Sequence, residues 1–337
     1  MNVIQRPRAR EFCATMQDYI IDTDVTITFA VKYGGKKILD EEYVPDANHQ
    51  VRIRGLGKFC ELALWGVWCL DYAPQSSASG TFSFLINEVE DTQSYVMYSR
   101  LYTKKNAATP GVLSEVSTKV TRPGCKEYAS GYMVQSTDST KGYGVQIVGS
   151  WGEGSEETLF WTLASTAEGV DTPFTLDVSP DIIAAKFTKG ALSAYRIEFK
   201  GGSMQFYIDN TRYADLWCFR FKNVYDMPET LTATGELKLT GNNESDAAAM
   251  YGVQRKFGIK VTDEYTANSG AIMLQSDYKL WHNLLNAQEV EILVDGEWLP
   301  IVITKQKLER SFRRSVLKTV EFNFTMANPE QNNLIEL

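Results

Sequence analysis

Carboxylates set beside tryptophans are the first pattern in this sequence with chemical potential. Glu153, Glu156 and Glu157 fall close together, flanked by Trp151 and Trp161. Two carboxyl groups on either side of a sugar, with an aromatic ring to stack on it, is the arrangement that hydrolyses glycosides. The same loop without an acid and base pair could only hold a sugar. Trp151, whose neighbours are polar, is then the candidate carbohydrate contact. Yet the connecting residues "GEGSEE" also have the composition of a solvated hairpin turn. Asp40, Glu41 and Glu42 form a similar charge group at a strand end. The loop reads more readily as a turn than as a catalytic centre.

Other chemistries find fewer components. The only histidines, His49 and His282, are far apart in the chain. Cys13, Cys60, Cys69, Cys125 and Cys218 are scattered, none of them in a C-x-x-C pair. An odd number argues against a complete disulfide framework, so the cysteines read as buried thiols. No Gly-rich phosphate loop, dinucleotide fingerprint or G-x-S-x-G elbow is present. The expectation is a protein that is not an enzyme, with no cofactor and no metal site.

A basic stretch is the sharper feature. "KQKLERSFRRSVLK" carries Lys305, Lys307, Arg310, Arg313, Arg314 and Lys318 against a single Glu309. It sits in a chain of net charge −8 and pI near 5.1. Three readings compete: a solvated connection between strands, a charged arm docking on an acidic neighbour, and a nucleic-acid contact. The overall acidity disfavours the last.

The elements that must position these residues are mostly strands. The chain has 337 residues, 44% of them hydrophobic and 23% charged, as in ordered globular proteins. Short alternating runs rich in Val, Thr, Tyr and Phe, broken by glycines, predict an all-β, β-rich fold. Gly34-Gly35 and Gly201-Gly202 turn two hairpins, with Val25, Ile27, Phe29 and Val31 expected on one face of the first. "YGVQIVGSW" and "ETLFWTLAS" pair across the acidic loop, and Asn242 to Ala249 reads as a polar stretch. Near the C-terminus, Ser276 is a plausible N-cap for a helix over 277–286, the one short helix expected. An Asp295-Gly296 hairpin follows, then a final strand with Val320, Phe322, Phe324 and Met326 inward. The expected layout is a β-sandwich region over 1–215, of one module or two. A β-barrel or sandwich over 216–337, with its helix and an arm at 305–318, would follow. No run approaches the roughly 20 apolar residues of a membrane helix. No apolar signal core follows the N-terminal arginines, so synthesis in a cytoplasm and no membrane insertion are expected.

The segments "FRFKNVYDMPETLTATGELKL", "YGVQRKFGIKVTDEYTANSGAIMLQSDYKLWHNLLNAQEVEILVDGEWLPIVITKQKLERSF" and "KTVEFNFTMANPEQNN" resemble structural proteins of Bacteroidales phages and prophages. In layout they are similar to tail-tube and distal-tail (baseplate) domains of tailed phages. The resemblance spans roughly 216 to 337. It implies a virion structural protein that forms or decorates a tail or baseplate ring, a homo-oligomer of three or six copies, with other tail proteins as partners. It also implies that the 305–318 arm is a subunit contact. The alternative is a carbohydrate-binding or adhesin module that takes a host surface glycan through Trp151. Changing Arg313 and Arg314 together to Glu is expected to abolish assembly, read by light scattering; unchanged particles would exclude the arm as the contact.

Overall fold

The computed structural model describes residues 1–64, 73–100, 111–167, 169, 171–307 and 318–328. It is β-rich, with strands gathered in five sheets. In the first hairpin Ile27, Phe29 and Val31 are buried, as the alternation predicts. Val25, expected on the same face, precedes the strand Ile27–Tyr33 and is exposed. Lys36–Tyr43 returns along it and forms the end of a five-stranded sheet. The hairpin of Ser79–Ile86 and Val89–Met97 and the parallel strand Arg10–Phe12 complete that sheet. A smaller sheet of Asn2–Gln5, Tyr19–Asp22 and Gln50–Ile53 closes over it. Tyr19 meets Phe29 and Phe84 at ring separations of 5.0 and 5.7 Å.

A second core starts at Val112 and runs to Met326. Its first layer is a six-stranded sheet centred on Tyr143–Ser150, Ala194–Phe199 and Gly202–Ile208, with Thr118–Thr121 added in parallel. A three-stranded sheet of Tyr128–Gly131, Phe174–Asp177 and Ala73–Pro74 adds Ala129, Phe174 and Leu176 to the same core. The C-terminal layer is a seven-stranded antiparallel sheet. Its order is Pro228–Ala233, Trp217–Lys222, Val290–Val294, Glu297–Lys307, Glu321–Met326, Val253–Asn268 and Leu237–Met250. The sheet is open rather than closed into a barrel, because among the described residues no pairing joins its first strand to its last. Side chains on both sides of residue 215 share the second core, while Val224, Tyr225 and Met227 pack with the first.

Three α-helices are present among the described residues, where one was expected. Leu56–Ala63 and Pro180–Ala184 are too short to show helical periodicity in sequence. The third, Gln275–Leu285, begins two residues earlier than expected, and Ser276 lies inside its first turn. Leu274 is the N-cap and makes no side-chain cap bond, so tertiary contact fastens this end. Trp281 packs between Phe219 and Phe322, pressing the helix onto the inner face of the seven-stranded sheet. Phe322, Phe324 and Met326 face inward with Val320, as their alternation predicts.

Arg220, buried in that sheet, is held by the Glu291 carboxylate at 2.5 Å and lies 4.5 Å over the Trp298 ring. The guanidinium thereby fastens Trp217–Lys222 to the hairpin turned by Asp295-Gly296, whose φ angles of 50° and 86° are those of a two-residue primed turn.

In the six-stranded sheet, the register slips between Tyr143 and Gly144, beside the Trp161 carbonyl of the paired strand. A Cβ on Gly144 would lie 1.9 Å from that oxygen. Gly144→Ala is therefore expected to destabilise the protein by roughly 1–3 kcal/mol through overpacking, seen as a lower urea midpoint; an unchanged midpoint would show that the strand pair relaxes freely.

Candidate subunit interface

The last two strands of the C-terminal sheet run far beyond it. Leu237–Met250 and Val253–Asn268 pair along their whole length, but Glu321–Met326 supports only Tyr265 to Asn268. At this root Leu237, Tyr265 and Ala267 are buried, and Tyr265 stacks on Phe324 at 5.2 Å. Outward from Gly241, the chain becomes a two-stranded ribbon. Every described side chain from Gly241 through Lys260 is exposed. At about 3.4 Å per residue the ribbon reaches on the order of 30 Å past its support.

The register assigns the ribbon's faces. Met250 and Val253 are opposite one another, followed on the same face by Ala248 with Arg255 and Asp246 with Phe257. The other face carries Ala249 with Gln254 and Ala247 with Lys256. Between Glu244 and Asp246 the register shifts, where Gly258 takes φ +58° and forms a bulge that increases the ribbon's twist. Glu244 then faces Lys260 as an opposite-charge pair.

The tip turns at Tyr251-Gly252, with φ angles of 53° and 77°. Glycine tolerates this conformation, whereas a tyrosine there costs about 1 kcal/mol or more. Tyr251 is 95% exposed beside the exposed Met250 and Val253, and Phe257 and Ile259 are exposed further back along the ribbon. A strained, solvent-facing aromatic with exposed apolar residues beside it is costly for an isolated molecule. A two-stranded hairpin in water is itself marginal without a third strand or a covered face. The arrangement therefore suits burial against another surface.

The basic residues singled out from the sequence lie elsewhere on this layer. Lys305 is mostly exposed and pairs with Glu264 at 3.3 Å, beside the ribbon's root. The Thr304 hydroxyl donates to the same carboxylate at 2.8 Å, and together with Lys305 it holds the Glu264 carboxyl below its usual range. Lys307 pairs in register with Glu321. Lys318 bridges to Ile272, its ammonium 5.9 Å from the Tyr278 ring. Arg310, Arg313 and Arg314 lie outside the described residues. The ribbon was missed from sequence because polar residues over 242–246 gave no clean alternation. The one local signal was Tyr251-Gly252 between "AAAM" and "VQRKF".

Trp151 is half-buried, not a free platform. Its indole N–H donates to the Gly190 carbonyl at 2.8 Å, its ring meets Phe187 edge-on at 5.4 Å, and the Lys189 ammonium sits 5.1 Å from its centre. Glu157 pairs with Lys189 at 3.5 Å, and Glu156 accepts from the Ser150 hydroxyl at 3.2 Å. Glu153 is exposed in the hairpin turn. His49 is exposed beside Asp24, and His282 is exposed on the C-terminal helix. Among the described residues, no group of three or more His, Cys, Asp or Glu is placed to hold a metal ion.

Beside that helix lies an open groove of about 830 Å³, lined by Glu115, Val116, Leu274, Tyr278, Lys279 and His282 among others. Glu115 holds Lys279 at 2.8 Å and accepts from the Asn283 amide. Close to this helix's first turn is a buried charge cluster. The Lys119 ammonium reaches the Glu127 carboxylate at 2.6 Å and the Thr230 carbonyl at 2.7 Å. Asp277, in the helix's first turn, accepts from the Val120 N–H, and its Oδ1 has no hydrogen-bond partner among the described residues. Burial raises the Asp277 carboxyl to about 7; Lys119 and Arg122 oppose the rise and Glu127 adds to it.

With its folded-state pKa raised, Asp277 binds more protons in the folded than in the unfolded chain between about pH 4 and 7. Its contribution to stability is thus full below about pH 4 and lost as pH rises to about 7. Asp277→Asn is expected to raise stability at pH 8 by about 1–3 kcal/mol and to flatten part of the decline between pH 4 and 7. Urea titrations at several pH values check this; a variant with the wild-type pH slope would show that Asp277 is ionised throughout.

No protein-family model matches this sequence, and no curated protein matches it. Solved structures to which it is similar include a chain from the tail of an empty gene transfer agent particle with C6 symmetry. That match has 13% identity and a TM-score of 0.23, covering 30% of this chain and 82% of that one. A chain from the virion of a native gene transfer agent particle matches with 12% identity and a TM-score of 0.25, covering 35% and 95%. The I9-I11 tandem of titin matches with 8% identity and a TM-score of 0.18, covering 97% and 90%. TM-scores of this size establish neither a shared fold nor a shared function.

Proposed function

We propose that this chain is a non-enzymatic structural subunit of a phage-type tail, and that it assembles into a ring by seating the 241–260 ribbon on a neighbouring copy. The observation that carries the reading is the ribbon itself. Among the described residues it has no third strand and no covered face, and its tip is closed by a strained, exposed tyrosine. Ribbon and supporting sheet lie within residues 216 to 337, the part of the sequence that resembles tail-tube and distal-tail domains.

The physical logic is that of a heterologous contact. A ribbon projecting from one edge meets a different surface on the next copy, and such head-to-tail contacts close into rings or continue as tubes. Burying Met250, Val253 and Phe257 would supply the hydrophobic part of the association. Arg255, Lys256 and Lys260 would meet the acidic surface expected of a chain with net charge −8, setting register and speeding encounter. Lys305 and Lys318 are engaged within their own chain by Glu264 and Tyr278, so the ribbon displaces them as the principal contact in this reading.

Met250→Asp combined with Phe257→Asp places two charges on one face of the ribbon. The double variant is expected to remain a monomer under conditions where the wild type forms rings or tubes, by light scattering and negative-stain electron microscopy. Both side chains are exposed, so its melting temperature should stay within about 2 °C of the wild type. Assemblies that persist in the variant would remove the ribbon from the contact. A wild type that stays monomeric at every attainable concentration would remove self-assembly.

A further inference from the structure

Of the five cysteines, four are described, and all four are buried. Cys125 and Cys218 are far apart in sequence but meet in the fold. Cys125 lies in the turn after Thr118–Thr121, where its N–H donates to the Arg122 carbonyl at 3.1 Å. Cys218 lies in Trp217–Lys222, directly opposite Thr232 of Pro228–Ala233. The Cys218 sulfur is 3.8 Å from the Thr232 hydroxyl. The Cys125 thiol is in hydrogen-bond contact with both Cys218 and Thr232, and the Lys126 N–H donates to the Cys218 sulfur.

We propose that Cys125 and Cys218 form a latent disulfide that closes under oxidation and ties the 122–127 turn to the C-terminal sheet. Geometry supplies the first requirement, two thiols in mutual hydrogen-bond contact around the Thr232 hydroxyl, so that the sulfurs to be joined are already neighbours. Electrostatics supplies the second. The hydrogen bond from Cys125, aided by the Lys126 N–H, brings the Cys218 thiol down to about 7, whereas Cys125 is pushed up and keeps its proton. One member is thus a ready thiolate and the other a protonated resolving thiol. The other described cysteines lack this asymmetry: burial pushes Cys13 up to about 12 and Cys60 up as well.

The chemistry balances with a hydroperoxide as oxidant. The Cys218 thiolate attacks one peroxide oxygen, the O–O bond breaks, and hydroxide leaves, giving a sulfenic acid on Cys218. The Cys125 sulfur then attacks the Cys218 sulfur, the S–O bond breaks, and the Cys125 proton leaves with the departing oxygen as water. The two thiols lose two electrons in all, and the peroxide gains them. The new bond would close a loop of roughly 90 residues, a length at which a disulfide substantially restricts the unfolded chain. It would sit beside the Lys119–Glu127 pair, where the six-stranded and seven-stranded sheets meet.

The test uses the purified full chain, reduced, desalted and exposed to hydrogen peroxide at pH 8. Remaining thiols are alkylated, and the protein is digested without reductant for mass spectrometry. Expected is a peptide pair joined through Cys125 and Cys218, and a melting temperature raised by about 5 °C or more, reversed by dithiothreitol. Cys125→Ser should leave the sulfenic acid on Cys218 open to dimedone, which separates loss of the resolving thiol from loss of the fold. The proposal is overturned if both cysteines are recovered alkylated, if Cys218 is driven to sulfinic acid without cross-linking, or if the link appears only after denaturation.

Discussion

One buried ammonium holds the second core together. Lys119, on the parallel edge strand Thr118–Thr121, donates to Glu127 ahead of Tyr128–Gly131 and to the Thr230 carbonyl in Pro228–Ala233. The Thr230 hydroxyl donates to the same Glu127 carboxylate at 2.8 Å. Three layers therefore meet at a single salt bridge whose two side chains are each about 1% exposed. Such a pair contributes little net stability compared with an apolar substitute, but removing one partner strands a buried charge. Its value lies in register, since only one relative placement of the three layers satisfies all three groups. Glu229, wholly buried next to it, is held by Ser114 and Asn223, and its carboxyl is raised by burial. Asp277 reaches the same centre from the C-terminal helix.

From this junction outward, the sheets differ in how their edges are treated. Pro228–Ala233 is buried along its length against Tyr128–Gly131. Thr118–Thr121 is covered in part by the helix, with Asp277 accepting from Val120. Lys36–Tyr43 carries Lys36, Lys37, Asp40, Glu41 and Glu42, the charged edge that discourages unwanted pairing. Among the described residues, nothing covers the ribbon in this way. Its root is fixed by Tyr265 and Phe324 inside the core, while its tip presents apolar side chains to solvent. Rigidity at one end and exposed apolar surface at the other are what an intermolecular contact requires.

Cys125 and Cys218 occupy the same junction. Cys125 lies between Lys119 and Glu127 in sequence, and Cys218 lies two residues before Arg220, whose guanidinium fastens the neighbouring hairpin. A covalent bond there would reinforce an arrangement that electrostatics already selects.

Sequence alone determined the strands with strict alternation. Phe322 and Phe324, the hairpins at Gly34-Gly35 and Asp295-Gly296, and the strand pair around the acidic loop were all legible, because period-two burial and turn chemistry are local properties. The second glycine hairpin was legible too, but it turns at Lys200-Gly201, with Gly202 already in the strand. The short helices at 56–63 and 180–184 were not, since neither spans enough turns to show a period. Only tertiary structure decided the ribbon, whose pairing across Tyr251-Gly252 is fixed at its root by Phe322 and Phe324 and not by apolar alternation along its length. It also decided that Lys119 and Thr230, and Cys125 and Cys218, are neighbours. Those contacts join residues roughly a hundred positions apart, a separation over which composition and spacing carry no distance information and packing alone sets which groups meet.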